Sequence, residues 1–393
     1  MLADDCSTMK LLLAFVFTAF LTQIGSAHPG GHYAKDPFRQ IDEVLPDPNE
    51  IRAANGAPGP EYWQQRADYN IKVVLDDERQ RISGSEVITY TNNSPNALTY
   101  LWVQLDQNRF EQQALGHQAM EAPDFEDIGF RTLRSELSRE TFEGGYQIQS
   151  VHDENQQPLS YSIIDTMMRV EVSLKPGDTT VFGIDWEHNI VNAKAIRARG
   201  GYEYFENDDN YIYTIAQWYP RIAAFTDING WQNKQFLGRG EFALEFGDYD
   251  VSLTVPADHI VAATGTLTNA GEVLSAVQQE RLKRAEGNDE PTYVVTPAEA
   301  KENEKNKAEG TKTWVFHAQN VRDFAWASSR KFVWDAAHVQ VGDREDRVWA
   351  MSFFPNEGDP LWSKYSTHSV IHALQVFSKY TFDYPYPVAI SVH

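Results

Sequence analysis

Two histidines four residues apart, His368 and His372, stand in a stretch with helical periodicity. At that spacing both rings leave the same helix face, which is how a helix offers two nitrogens to a metal. The hydrolytic zinc motif His-Glu-x-x-His also needs a carboxylate directly after the first histidine, as general base. Here that position is Ser369. The pair shares its face with Gln375 and Lys379, so a solvated surface is the simpler reading. His28 and His32, in His28-Pro29-Gly30-Gly31-His32, would suit copper if His28 carried a free amine, but the segment reads first as a tail. Glu206, Asp208 and Asp209 crowd into five residues and invite calcium. They lack the EF-hand glycine and closing glutamate, and a solvated acidic loop accounts for them. Gln217-Trp218-Tyr219-Pro220-Arg221 sets an amide and a guanidinium among aromatics, after the strand-like Tyr211-Ile212-Tyr213. That pattern suits the wall of a substrate pocket or an aromatic core, and both readings stay open. No G-x-S-x-G elbow, phosphate-binding glycine loop or dinucleotide fingerprint occurs. No residue is assigned a catalytic or metal-ligating role.

The elements that would position these residues are mostly strands. Tyr69, Ile71, Val73 and Leu75 alternate with polar neighbours, the charged Asp76 to Arg81 turns the chain, and Ile82 to Thr91 resumes β-type sequence. Leu98 to Leu105, Met168 to Leu174, Val181 to Trp186 and Phe242 to Val255 repeat the pattern, with turn chemistry at Asn92 to Asn96 and at Pro176-Gly177-Asp178. Short alternating segments separated by such turns predict a large antiparallel β domain. Residues 271–310 are charge-rich and helix-prone, and read as a surface insertion. Thr311 to Phe324 returns to β. Beyond about Lys331, strands at His338 to Val341 and Trp349 to Phe354 precede a helix from Leu361 to Tyr380, with an apolar stripe of Val370, Ile371, Leu374 and Phe377. Pro385 and Pro387 forbid more helix.

The chain has 393 residues, enough for two or three domains, and 42% hydrophobic residues, enough for a sizeable core. Its net charge of −22 repels phosphate backbones, so nucleic acid is not an expected partner. Met9-Lys10, the apolar run Leu11 to Leu21 and the small residues Gly25-Ser26-Ala27 read as a signal peptide cleaved after Ala27, too short to be a stable membrane span. Export to a periplasm or medium follows. Cleavage would remove Cys6, the single cysteine, leaving no disulfides, thiolate ligands or thiol nucleophile. Asn92-Asn93-Ser94 fits a glycosylation sequon, a pattern common by chance.

Six segments, in order, resemble the aminopeptidase N family of zinc metallopeptidases, the gluzincins that include leukotriene hydrolase. The first is the hairpin PGPEYWQQRADYNIKVVLDDERQRISGSEVITYTNNSPNAL, with its G-x-x-x-I-x-Y-x-N-x-S from Gly84 to Ser94. LKPGDTTVFGIDW follows, then YTIAQWYPRIAAFTD, DYDVSLTVPADHIVAATG, NVRDFAWASS and YTFDYPYPVAISVH. They span about Pro58 to His393. The resemblance implies a saddle-like antiparallel β amino-terminal domain followed by a thermolysin-like α+β catalytic domain, of which only the first strands and helix are here. It implies a substrate-binding role for Gln217, matching the family glutamine near the substrate's amino end, although the spacing to Arg221 and Asp227 is tighter than in typical members. The family's Gly-x-Met-Glu stretch, its His-Glu-x-x-His, its third ligand and its oxyanion tyrosine are not in this sequence.

The expected organisation is therefore a signal peptide (1–27), an irregular lead-in (28–60), a β-rich domain (61–330, with the insertion 271–310) and a truncated start of a catalytic domain (331–393). The expected function is that of an amino-terminal fragment of an exported zinc metallo-aminopeptidase. Its parent would use zinc to hydrolyse peptide substrates, while this chain alone would hold no cofactor and be inactive. The alternative is a non-catalytic β module that binds a peptide or a protein partner.

Overall fold

A computed structural model describes residues 48–393 apart from 122, 123, 125, 239, 241, 242 and 306. The expected signal peptide, His28 and His32, and the lead-in up to residue 47 lie outside the described residues. Two compact units are formed. In the smaller, Arg52 holds Asp227 with two hydrogen bonds (2.5 and 2.9 Å) and stacks over Tyr62.

The larger unit (63–226 and 230–393) is mainly β. Its strands are β1 (Arg66–Asp76), β2 (Arg81–Thr91), β3 (Leu98–Gln104), β4 (Gln147–Asp153), β5 (Tyr161–Ile164), β6 (Met167–Leu174) and β7 (Thr179–Asn189). Next come β8 (Gly201–Phe205), β9 (Asn210–Ile215), β10 (Arg221–Ile222), β11 (Phe225–Thr226), β12 (Gly230–Trp231), β13 (Gly247–Pro256), β14 (Ile260–Ala263) and β15 (Thr266–Leu267). The last are β16 (Thr292–Val295), β17 (Thr311–Val321), β18 (Trp326–Ser329), β19 (Val333–Val339), β20 (Val348–Phe354) and β21 (Val388–Val392). Four longer helices are α1 (Phe130–Thr141), α2 (Ala276–Ala285), α3 (Pro297–Asn303) and α4 (Leu361–Tyr380).

One sheet has the order β15-β17-β13-β1-β2-β7-β4, a second β10-β3-β6-β5, a third β14-β18-β9-β8 and a fourth β16-β19-β20-β21. The named pairings are antiparallel except β1 with β13 and β20 with β21. The period-2 pattern explains the layering. Tyr69, Ile71, Val73 and Leu75 of β1 and Tyr249, Val251, Leu253 and Val255 of β13 point into one core, while Asn70, Lys72, Asp250 and Ser252 point away. Gly84 of β2 sits under Trp186 of β7, where a Cβ would fall 2.5 Å from the indole, so the glycine is what lets the ring lie flat on the strand. Asn92 is fully buried and its amide donates to the carbonyls of Asn96 and Lys175. The sequon at this asparagine is therefore a turn device, closed to a glycan.

The charged stretch 271–310 holds two helices whose starts satisfy their own amides. Ser275 with Gln278 caps α2, and Thr296 with Glu299 caps α3. Between them β16 pairs with β19, and Val294, Val295 and Ala300 are buried. In β20, Trp349, Met351 and Phe353 face the large core, while Val348 and Ala350 face α4. On α4, Leu374 is buried and Val370 and Ile371 pack beside it. Phe377, expected on the same stripe, is 68% exposed, because no described residue covers it.

Two buried polar clusters tie these layers together. Arg221 is 1% exposed and donates to Asp106 Oδ2 (3.0 and 2.5 Å) and to Asp323 Oδ2 (2.7 Å). Burial opposes its charge, but Asp106 and Asp323 outweigh that and raise its pKa above the ordinary guanidinium value. On the other cluster, the Thr367 hydroxyl of α4 lies 2.6 Å from Asp335 Oδ1 on β19 and 2.7 Å from the Ser352 hydroxyl on β20. Burial pushes the Asp335 carboxyl up to about 6, against the smaller opposing effects of Thr367 and the nearby His368.

Two predictions follow from these clusters. Removing one partner of a buried ion pair strands the other charges, so Arg221→Met should cost about 3–5 kcal/mol of stability, read as a lower urea midpoint at unchanged slope. A carboxyl whose folded pKa is raised stabilises the fold most below its unfolded value and loses that contribution as pH rises through the folded one. Thermal melts should therefore show wild type losing stability between about pH 4 and pH 7, and Asp335→Asn, which keeps the acceptor for Thr367, should flatten that loss.

Candidate functional site

A cleft of about 1200 Å³ opens in the β-rich unit. One wall is the turn after β14. Gly265 has φ +87°, and a Cβ there would meet the His317 carbonyl at 2.3 Å, so only glycine lets the chain leave β14 and enter β15 of another sheet. Thr264 pins that turn: its amide donates to the Ala325 carbonyl, and its hydroxyl accepts from the Ala325 amide (3.1 Å). Asp323, Ala325 and Trp326 continue the wall. Opposite them run Tyr384, Pro385, Tyr386 and Pro387, with the Tyr386 hydroxyl donating to the Asn320 carbonyl (3.1 Å). Arg66 and Arg322 give the cleft cationic points. Arg66 is held by Asp68 and Asp248, and Arg322 lies 4.3 Å over the Phe246 ring.

Gln217 follows the lining residue Ala216 in sequence and is not itself among the residues that line the cleft. It is 7% exposed and takes a left-handed backbone, φ +55°. Its carbonyl accepts from the Gln107 side chain (2.6 Å), and among the described residues its own carboxamide has no hydrogen-bond partner. The rest of the segment is core. The Trp218 indole donates to the Phe324 carbonyl (2.8 Å), and the Tyr219 hydroxyl donates to Asp323 Oδ1 (2.9 Å), the carboxylate that also receives Arg221. Of the two open readings of this segment, the aromatic core is the one visible in the packing of Trp218 and Tyr219.

The other candidates fall elsewhere. His368 and His372 are exposed on the outer face of α4, and neither lines the cleft. The acidic loop Glu206 to Asn210 turns β8 into β9. Asp209 receives Lys307 (3.0 Å) and the Tyr204 hydroxyl, while Asp208 receives the fully buried Lys331. Glu304 (3.1 Å) and Glu357 (2.9 Å) complete the shell of Lys331. Asp208, Glu304 and Glu357 are the one group of three possible metal ligands among the described residues, and an ammonium already stands between them.

Several residues of weight were not legible beforehand. Asp106 and Lys331 carry no motif, and their importance comes from partners more than 100 and more than 25 residues away respectively. Glu245, pushed up by burial to about 7, accepts from the Phe225 amide (2.7 Å). Thr264, Ala325 and Tyr386 did lie within segments singled out by resemblance.

No protein-family model matches the chain, and no curated protein matches it. Among solved structures it is similar to an M1 zinc metallopeptidase from Deinococcus radiodurans, at 14% identity and a TM-score of 0.46, over 84% of this chain and 56% of that one. It is likewise similar to a two-domain M1 zinc metallopeptidase bound to the amino acid L-tryptophan, at 13% identity and a TM-score of 0.46, over 86% and 58% of the two chains. The chain spans little more than half the length of these structures. A likeness this distant carries no argument about activity, which must rest on the residues themselves.

Proposed function

We propose that this chain is the amino-terminal part of an exported zinc metallo-aminopeptidase, a hydrolase whose parent removes amino-terminal residues from peptides. One observation carries the reading. Segments noted separately in the sequence, A-T-G at 263–265, D-F-A at 323–325 and Y-P-Y-P at 384–387, meet on the walls of one cleft. Three of the segments that carry the family resemblance thus border one concave surface, which is where an extended peptide could lie.

In this reading the β framework supplies a wall for an extended peptide. The Gln217 carboxamide, one residue along the chain from the lining residue Ala216, is assigned as an acceptor for the substrate's free ammonium. The described residues do not fit a catalytic zinc, which needs three protein ligands around an open position. His368 and His372 have Ser369 where a base would stand, and the three-carboxylate group is filled by Lys331. Zinc binding and peptide-bond cleavage are accordingly assigned to other residues of the parent. Export is supported by the apolar run Leu11 to Leu21 and the small residues before His28, and the acidic charge keeps nucleic acid off the list of partners.

Sequencing the reading frame beyond the codon for His393 should reveal Gly-x-Met-Glu and then His-Glu-x-x-His. A stop codon with neither motif in any downstream frame would leave a non-catalytic peptide-binding module instead. The purified 393-residue chain should not turn over leucyl-p-nitroanilide, and measurable turnover would refute the division of labour. Mass spectrometry of the exported protein should find its first residue at His28; an intact Leu11 to Leu21 run on the mature chain would count against export.

A further inference from the structure

Next to the cleft lies a second chamber of about 120 Å³. The two cavities share Ala262, Ala263, Gly265, Thr266, Val388 and Ile390 in their linings, so the small one adjoins the large one along that wall. Its remaining walls come from several elements: Phe316 on β17, Trp334 on β19, Met351 and Phe353 on β20, and Leu282 on α2.

Three features distinguish this space from ordinary packing imperfection. Packed side chains seldom leave a gap much larger than a water molecule, and this recess at the edge of the core, open on one side, is several times that size. It exists because large aromatic side chains on one side meet alanines and a glycine on the other. Gly265 is also required there by its backbone, so a larger residue at that position cannot fill the gap. No charged residue lines it. Water would find little to hold it, since a buried water wants two to four polar partners. On its walls the Trp334 indole N–H is buried, 3% exposed, and without a hydrogen-bond partner among the described residues.

We propose that this chamber is a binding site for one apolar group the size of a single aromatic ring or a branched aliphatic chain, entering from the cleft. A dry apolar cavity of about this volume takes a benzene-sized guest. A two-ring group does not fit. The same chemistry is offered by a free small hydrophobe and by a phenylalanine or leucine side chain of a peptide lying in the cleft. The proposal concerns the chamber alone and stands whether or not the parent is a peptidase.

Saturation-transfer NMR with toluene and the full chain tests it. Toluene should bind the wild type, and Ala263→Leu, which fills the shared wall, should weaken that binding by roughly tenfold or more. If Ala263→Leu does not fold, Met351→Ala supplies the test from the other side: it enlarges the chamber, and naphthalene, excluded by the wild type, should now bind. A pentapeptide with one Phe that displaces toluene, while its Gly counterpart does not, identifies a peptide side chain as the occupant. Toluene binding that neither peptide disturbs identifies a free small molecule. Absence of toluene binding to the wild type, or binding that Ala263→Leu leaves intact in a folded protein, overturns the proposal.

Discussion

The buried ion pair of Arg221 with Asp106, joined by the part-exposed Asp323, is the constraint on which the β-rich unit rests. Taking the charges of Arg221 and Asp106 out of water is costly, and the cost is offset only when geometry places the partners within hydrogen-bond range. That requirement joins three stretches far apart in sequence: the end of β3, the segment Gln217 to Arg221, and the link between β17 and β18. Apolar packing alone tolerates small slips. A guanidinium shared between two carboxylates does not, because a misplaced strand would leave a charge without a counter-ion. Trp218 and Tyr219 reinforce the joint through Phe324 and Asp323, so the segment that carries Gln217 is anchored on both its aromatic residues.

A second pair of cations extends the same logic to the last sheet. Arg330 and Lys331 are consecutive, both buried, and lie between β18 and β19. Arg330 donates to Asp258 and Asp77, and Lys331 to Asp208, Glu304 and Glu357. The acidic loops that looked like solvated surface or a calcium site are thus counter-ions. In a chain with a net charge of −22, carboxylates are plentiful and buried cations are the scarce component that decides which of them become structural.

How much of this was readable beforehand varied with the range of the interaction. Alternation in β1 and β13 gave their inward faces correctly, because which side a residue faces is set by local pleating. The helix Leu361 to Tyr380 was legible from its apolar period, and the exposed His368 and His372 from their place opposite that stripe. The parallel pairing of β1 with β13 was not legible, since nothing in either strand names a partner about 180 residues away. Nor was β16, four residues within charged helical sequence, whose strand conformation depends on β19 being there to receive it. Phe377 had the right period and no cover, which periodicity cannot see.

The sequence by itself determined the mainly β class, the turns, the inward faces of the strands and the helix face of the two histidines, because all of these depend on neighbours a few residues away. Only the tertiary structure decided which carboxylates became partners of Arg221 and Lys331, that A-T-G, D-F-A and Y-P-Y-P share a cleft, and that a dry chamber adjoins it. These are properties of distances between residues far apart along the chain. Such distances are set by strand order and by the close approach that Gly84 and Gly265 allow, and neither is encoded in any one segment.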